Sequence, residues 1–377
     1  MRDSSLSEVP PPALPDASAA PVEAPPSGGT PPSKSKETPS TFRLRDGLQI
    51  LGMALLIALF LRSCVLEGFR IPTESMEQSL LVGDFVLVSK LHYGPRLPMT
   101  VGLPLTDWYF EDVSLPYARL PGFTTIRRGD AIVFNYPLDG APLDRRIHYI
   151  KRVAGLPGDS VALRDKQLYV NDTPVPLGET MQQRWIAETT PGFIFPVDSL
   201  RALGASQVAV LEREQGKVAF IAPPALAEVV ASWDGVTGVA PHMRARNLGF
   251  GMRIFPRGSN FSRDHYGPLY VPARGDTITL TKSNWVYYRD IIQRYEHHEA
   301  RLLPDGEFEI DSVRTAHYVL EQDYFFVLGD NRDSSVDSRI WGFVPKDHVV
   351  GKAVFVYFSW DAVQRRLRFE RLFKGID

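Results

Sequence analysis

Hydrophobic positions first become dense at 47–66, where GLQILGMALLIALFLRSCVL carries one charge, Arg62. Twenty residues is the length a helix needs to cross the hydrocarbon core of a bilayer, so the pattern predicts a transmembrane helix over 43–66. Arg62 lies near its far end, where a guanidinium can reach the interface on its aliphatic stem. A cleavable signal peptide is the competing reading, because the uninterrupted apolar stretch is only 47–61. Against it, more than forty residues precede the stretch and no small-x-small pattern follows it at once. Beyond the span the period shortens to that of strands: DFVLVSKL (84–91), DAIVFNY (130–136), HYIKRVAG (148–155), DSVALRD (159–165), KQLYVND (166–172), DTITLT (276–281), YFFVLGD (324–330) and KAVFVYF (352–358). One segment has helical spacing, with Trp285, Tyr288, Ile292 and Tyr295 recurring in NWVYYRDIIQRYEHHEARLL. It predicts a helix near 283–303, capped by Ser283, whose apolar stripe packs a core. Many short strands between Gly/Pro turns predict a mainly β barrel or sandwich.

Composition adds a tail and a topology. Residues 1–42 are dominated by Pro, Ala and Ser, too apolar-poor to offset the entropy of ordering, and predict a disordered segment. Lys34, Lys36, Arg43 and Arg45 cluster just before the span, which by the positive-inside rule puts the N-terminus in the cytoplasm and residues after about 67 outside. A net charge of −2, with no basic stripe interleaved with aromatics, excludes nucleic-acid binding. The single cysteine, Cys64, cannot form an intramolecular disulfide and reads as a small buried hydrophobe.

Familiar catalytic signatures are absent. Only His297 and His298 of the eight histidines are neighbours, adjacent helix positions face apart, and a solvated helix face is the better reading than a metal site. No phosphate loop and no GxSxG elbow occur, and no cofactor is implied. Three stretches stand out instead: IPTESMEQSLLVGDF (71–85), with Ser75 between Glu74 and Met76; YIKRVAGLPGD (149–159), with Lys151 inside an apolar strand; and GDNRDSSVDSRIWGFVP (329–345), dense in hydroxyls, carboxylates and guanidinium groups. Each has an ordinary counterpart: a solvated serine, an outward lysine, a charged surface loop. A lysine held out of water, however, has its charged form disfavoured, and a neutral amine can act as a base.

Taken together, FRIPTESMEQSLLVGDF, RRGDAIVF, YIKRVAGLPGD and GDNRDSSVDSRIWGFVP, in that order behind a span, resemble the type I signal peptidases of bacteria, membrane-bound Ser-Lys endopeptidases. The four blocks cover 53 of the 377 residues. The resemblance implies a serine endopeptidase with a β-barrel/sandwich core that removes signal peptides from secreted preproteins, cleaving after small residues on the outer face of the cytoplasmic membrane. Its implied partners are those signal peptides, the phospholipid membrane and a neighbouring secretion translocon. It makes Ser75 the nucleophile and Lys151 the general base, a known substitute for a His-Asp pair. It implies that Ser335 orients the lysine and that the Ser75 N–H and Thr73 hydroxyl form the oxyanion hole. Asp337 and Arg339 match a structural ion pair, with Asp330 holding the same loop. Phe69, Ile71, Pro72, Met76, Leu80, Tyr149 and Ile150 match shallow apolar substrate pockets.

The chain departs from the family at Gln78 and Ser79, where Pro-Thr is usual, at Ser334, where Asn is common, and at Thr73, which replaces a serine and keeps the hydroxyl. The implied organisation is a tail (1–42), a span (43–66), a core in two parts (67–160 and 321–377), and a variable β-rich insertion (161–320). Trp108, Tyr109 and Phe110 read either as an interfacial contact or as core packing. Two other functions compete: a self-cleaving repressor-type Ser-Lys peptidase, which needs a DNA-binding head where the tail and span stand, and an inactive membrane-anchored binding module, at odds with the presence of both Ser75 and Lys151.

Overall fold

The computed structural model describes residues 44–102, 106, 108–212, 216–244 and 254–376. The predicted disordered tail at 1–42, with Lys34 and Lys36, lies outside them, as does Arg43. The chain divides into two compact units, residues 1–51 and 52–377. Leucine, alanine, methionine and isoleucine without an internal proline build helix α1 (Leu44–Phe60), which continues as a wider turn over Leu61–Val65. Arg45–Val65 is long and apolar enough to cross a membrane, and its side chains are not buried against protein.

The second unit is built on a curled, half-barrel antiparallel sheet, so the chain is mainly β, as the strand pattern predicted. Its strands are β1 (Leu66–Arg70), β2 (Asp84–Ser89), β3 (Ala131–Asn135), β4 (His148–Gly155), β5 (Tyr324–Leu328), β6 (Val344–Pro345) and β7 (Val349–Asp361). They lie side by side in the order β1-β2-β7-β3-β4-β5-β6. The register of β7 slips against both β2 and β3, and such bulges bend a long strand. Strands β3 and β5 are buried along their whole length, which is why AIVFN and YFFVL read as unbroken apolar runs. Period-two alternation splits β3 between two cores: Ala131 and Val133 pack with Ile71, Met76, Leu80 and Val86, while Ile132 and Phe134 pack with Val153, Val327 and Trp341.

Between β4 and β5 the chain leaves this sheet. Strands Ser160–Arg164, Gln167–Val170, Thr173–Val175 and Tyr266–Tyr270 form one small sheet. A second, at 183–241, runs strand Gln183–Thr189, helix Val197–Ala202, strands Ser206–Glu212 and Lys217–Ala222, helix Pro224–Ala231, strand Val236–Pro241. The first strand lies between the third and the fourth, and all neighbours are antiparallel: a split βαβ unit. Ala187, Leu200, Phe220, Ala222 and Val230 give it a core of its own.

The helix expected at 283–303 is shorter. It runs over Trp285–Asp290 and a wider turn at Ile291–Tyr295, with Asn284 rather than Ser283 at the cap position, and residues Ala300–Leu302 form a strand. His297 has φ +60°, a left-handed backbone that no helix continues through. The stripe does pack a core, Ile292 and Tyr295 being buried. The two histidines therefore lie past the helix end, and His298 bridges Asp311 (2.6 Å) and Glu321 (3.1 Å) instead of facing solvent alone. The insertion also holds the two short helices above, where one helix was expected. Trp108 and Phe110, on the hairpin of Thr100–Gly102 and Tyr109–Ser114, are about half exposed and so are not core residues.

Candidate active site

Three segments converge beside β4. The chain leaves β1 and is held in a return by Ile71 N–H donating to Asp84 O (2.8 Å) and Gly83 N–H to Ile71 O (3.0 Å). Between those anchors, Glu74–Met76 forms one turn of 3₁₀-helix with Ser75 at its centre. Lys151 sits in the middle of β4, paired with Ile132 of β3, so its backbone position is fixed by the sheet. The third segment, 329–339, follows β5.

Lys151 Nζ donates to Ser75 Oγ at 2.7 Å and to the Ile150 carbonyl at 2.8 Å. Thr73 Oγ1 is 3.3 Å from the same Ser75 Oγ. Both Ser75 and Lys151 are buried. Burial pushes the Lys151 ammonium down to about 8, although the charges of Asp337 and Asp330 pull the other way. No carboxylate lies within ion-pair distance of it among the described residues. The pair is therefore a hydroxyl in contact with an amine that loses its proton near neutral pH.

Ser335 is fully buried beside them. A Cβ built on Gly329 would lie 2.2 Å from Ser335 Oγ and 2.6 Å from the Ser75 carbonyl oxygen, so only glycine at 329 permits this approach. Among the described residues Ser335 Oγ has no hydrogen-bond partner of good geometry; it lies near enough to the Asp337 carboxylate to help keep that group ionised. In this arrangement Lys151 Nζ is held by donating to the Ile150 carbonyl and to Ser75 Oγ.

The loop is braced by paired ions. Arg339 donates from Nε and Nη2 to the two oxygens of Asp337, both at 2.8 Å, and also to Arg332 O at 2.7 Å. Burial alone would raise the Asp337 carboxyl, but the Arg339 charge and the Gly329 N–H (3.1 Å) hold it below the usual carboxylate range. Arg152 makes a second fork to Asp330, at 2.9 and 2.8 Å. Lys166 meets Asp333 at 2.9 and 2.8 Å. Arg152 and Lys166 were not singled out from the sequence. For Arg152 the signal was a cation in a strand with buried neighbours, as for Lys151, whereas Lys166 lies in the turn between strands Ser160–Arg164 and Gln167–Val170.

Of the residues matched to substrate pockets, Pro72 is exposed, Phe69, Tyr149 and Ile150 are half-buried, and Ile71 is nearly covered. Met76 and Leu80 have no accessible surface and sit in the core behind the others. Tyr149 stacks on Tyr136 with ring centroids 4.6 Å apart, and its ring lies 5.5 Å from Lys151 Nζ.

The family model described as signal peptidase, peptidase S26, matches residues 44–214 and 273–360, more than half of the chain and all three converging segments. The chain belongs to this family. As an S26 peptidase it is a hydrolase of the serine peptidase type. It is 29% identical to signal peptidase I of Pseudomonas aeruginosa over 319 residues, 81% of this chain and 69% of that one. It is 27% identical to signal peptidase I of Buchnera aphidicola from Acyrthosiphon pisum over 81% of this chain and 73% of that one. With signal peptidase I of Haemophilus influenzae the figures are 25%, 87% and 75%. The internal stretch between the two matched segments, 215–272, contains the last two strands of the split βαβ unit.

Proposed function

We propose that this S26 peptidase removes N-terminal signal peptides from secreted preproteins by a Ser75–Lys151 mechanism, cleaving after small residues at the outer face of the cytoplasmic membrane. The observation that carries the reading is the 2.7 Å contact between a buried serine hydroxyl and a buried lysine amine. With Lys151 neutral, the hydrogen bond runs from Ser75 Oγ–H to Nζ. As Oγ attacks the scissile carbonyl carbon, its proton passes to Nζ. The Ser75 N–H and the Thr73 hydroxyl receive the developing oxyanion. Collapse of the tetrahedral intermediate breaks the C–N bond, and the Lys151 ammonium gives its proton to the departing amine, the new N-terminus of the mature protein. Neutral again, Lys151 takes a proton from the water that attacks the acyl-serine; collapse of the second tetrahedral intermediate breaks the acyl C–Oγ bond, the Lys151 ammonium returns the proton to Ser75 Oγ, and the signal peptide leaves as an acid that gives its proton to solvent.

The half-buried Phe69 and Ile150 and the exposed Pro72, backed by Ile71, Met76 and Leu80, form shallow apolar walls suited to small side chains, with Tyr149 beside the lysine. Asp330, Asp337 and Arg339 keep the loop in place, and Ser335, buried beside Ser75, orients the lysine as substrate enters. Ser75 stands nine residues after the span, which keeps the nucleophile near the surface where a substrate's apolar segment is held, and Trp108 and Phe110 add an interfacial contact. Detergent-solubilised protein is expected to cleave a preprotein after an Ala-x-Ala site, and Ser75→Ala is expected not to. Protease added to right-side-out spheroplasts should digest the chain beyond about residue 67 and spare a tag on Met1. Cleavage by Ser75→Ala would defeat the mechanism, and a digested tag with a protected domain would defeat the topology.

A further inference from the structure

The split βαβ unit reaches the nucleophile's own loop. Gln182, at the start of the unit, is fully buried and lies alongside Asn331 in a parallel bridge: its N–H donates to Asp330 O and it accepts from Arg332 N–H, both at 2.9 Å. Asn331 N–H donates to the carbonyl of Ser75 (3.1 Å). The two carboxamides then meet on one acceptor, Glu77 Oε2, from Gln182 Nε2 at 3.0 Å and Asn331 Nδ2 at 3.4 Å. Gln182 Oε1 is buried with no hydrogen-bond partner among the described residues. Glu77, two residues from Ser75, is thus the point where the nucleophile loop, the 329–339 loop and the insertion are joined.

An independent observation concerns the next residue. Gln78 has φ +77°, a backbone that a residue with a side chain adopts only when its surroundings hold it there. Those surroundings belong to the insertion: Gln78 Nε2 donates to Gly204 O (3.4 Å), and Ser79 Oγ to Thr180 Oγ1 (2.8 Å). On the other side Gln207, itself at φ +49°, donates to Ser334 Oγ at 3.0 Å.

We propose that Glu77 is a positioning residue for the reaction, through which Gln182 of the inserted unit holds the Ser75 loop at its working distance from Lys151. The proposal rests on the Ser75–Lys151 reading above. Both ends of the 2.7 Å contact need fixing, and β4 fixes only the lysine. A misplacement of about 1 Å costs a reaction of this kind about 100-fold.

The test is steady-state cleavage of a preprotein by the full-length protein in detergent, for wild type, Glu77→Ala, Gln182→Met, their double variant, Glu77→Gln and Ser75→Ala, each with a thermal midpoint. Glu77→Ala and Gln182→Met should each lower kcat about 10- to 100-fold with KM changed less than about two-fold. The double variant should be no worse than the poorer single, because both remove one link. Glu77→Gln keeps an oxygen for the two donors and offers an amide to Gln182 Oε1, so it should stay within about three-fold of wild type. Wild-type kcat in a folded Gln182→Met or Glu77→Ala, additive losses in the double variant, or Glu77→Gln as impaired as Glu77→Ala would each overturn the proposal. If Glu77→Ala does not fold, Gln182→Met and Glu77→Gln decide alone. An active Ser75→Ala would instead bring down the mechanism on which the proposal stands.

Discussion

Replacing Lys151 by methionine keeps the length and apolar stem of the side chain and removes only the amine. At pH 7 an amine that titrates at about 8 is neutral in about one molecule in ten, whereas an ordinary lysine at about 10.4 is neutral in about one in 2,500. Burial thus supplies about a 200-fold gain in base, and removing the base should lower cleavage about a thousand-fold or more. The same burial has a thermodynamic sign. The unfolded chain keeps the lysine proton up to about pH 10.4, while the folded chain gives it up through about 8. Between those values the folded state binds fewer protons, so stability rises with pH there. Below about 8 the cost of the buried ammonium is fully present, about 3 kcal/mol. Methionine removes that cost and also two hydrogen bonds, to Ser75 and Ile150, of about 1 kcal/mol each. Lys151→Met should therefore be inactive at every pH and more stable than wild type by about 1 kcal/mol at pH 7. Lys151→Arg, always charged, should be inactive too. The assay is preprotein cleavage from pH 6 to 10, with denaturant or thermal unfolding at both ends of that range. Wild-type cleavage should climb through about pH 8 and level off. A flat profile, or near-normal turnover by a folded Lys151→Arg, would refute the assignment of the base. A Lys151→Met protein less stable than wild type at pH 7 would refute the argument from burial.

Two further outcomes follow from the surrounding loop. Asp337→Asn strands the buried Arg339 guanidinium and should cost about 3–5 kcal/mol of stability together with cleavage activity. Because the folded-state Asp337 carboxyl is depressed, its stabilisation is present above about pH 4 and lost as pH falls through the lower folded value, so an acid-unfolding scan should show a shallower descent in Asp337→Asn than in wild type; equal slopes and unchanged turnover would remove Asp337 from the site. Gly329→Ala puts a methyl 2.2 Å from Ser335 Oγ and 2.6 Å from Ser75 O, and should lower kcat about 10- to 100-fold with circular dichroism unchanged; wild-type kcat would show that this approach is not needed.

The sequence made the site legible because its chemistry is local. Ser75, Lys151 and the 329–339 loop are far apart in the chain, yet each carries an odd residue in an otherwise ordinary stretch, and β4 and β5 read as strands from their apolar runs alone. The insertion resisted for a physical reason: helices of six and eight residues, at Val197–Ala202 and Pro224–Ala231, give barely two turns in which a 3.6-residue period can show. The helix expected to 303 ended at Tyr295 because Glu296 turns inward to accept from the hydroxyls of Tyr318 (2.5 Å) and Tyr324 (2.7 Å), contacts made by residues more than twenty positions away. Met76 and Leu80, matched with Phe69 and Pro72 to one set of pockets, are fully buried, because the loop that carries Ser75 folds back over the sheet and supplies part of its core.

The carboxylates of the 329–339 loop explain why the lysine is poised rather than merely buried. Asp330, Asp333 and Asp337 all lie within a few residues of Ser335, and any of them placed against Lys151 would hold its proton and spoil it as a base. Each is instead occupied: Asp330 by Arg152, Asp333 by Lys166, Asp337 by Arg339. Arg152 is the neighbour of Lys151 on the same strand, so its side chain leaves the opposite face and draws Asp330 away from the amine. What remains for Lys151 is the residual pull of Asp337 and Asp330 at a distance, which burial outweighs. The density of charge in that loop, which by composition reads as a solvated surface, thus works in the opposite sense: by pairing every acid with some other cation, it leaves one lysine dry, unpaired and able to lose its proton.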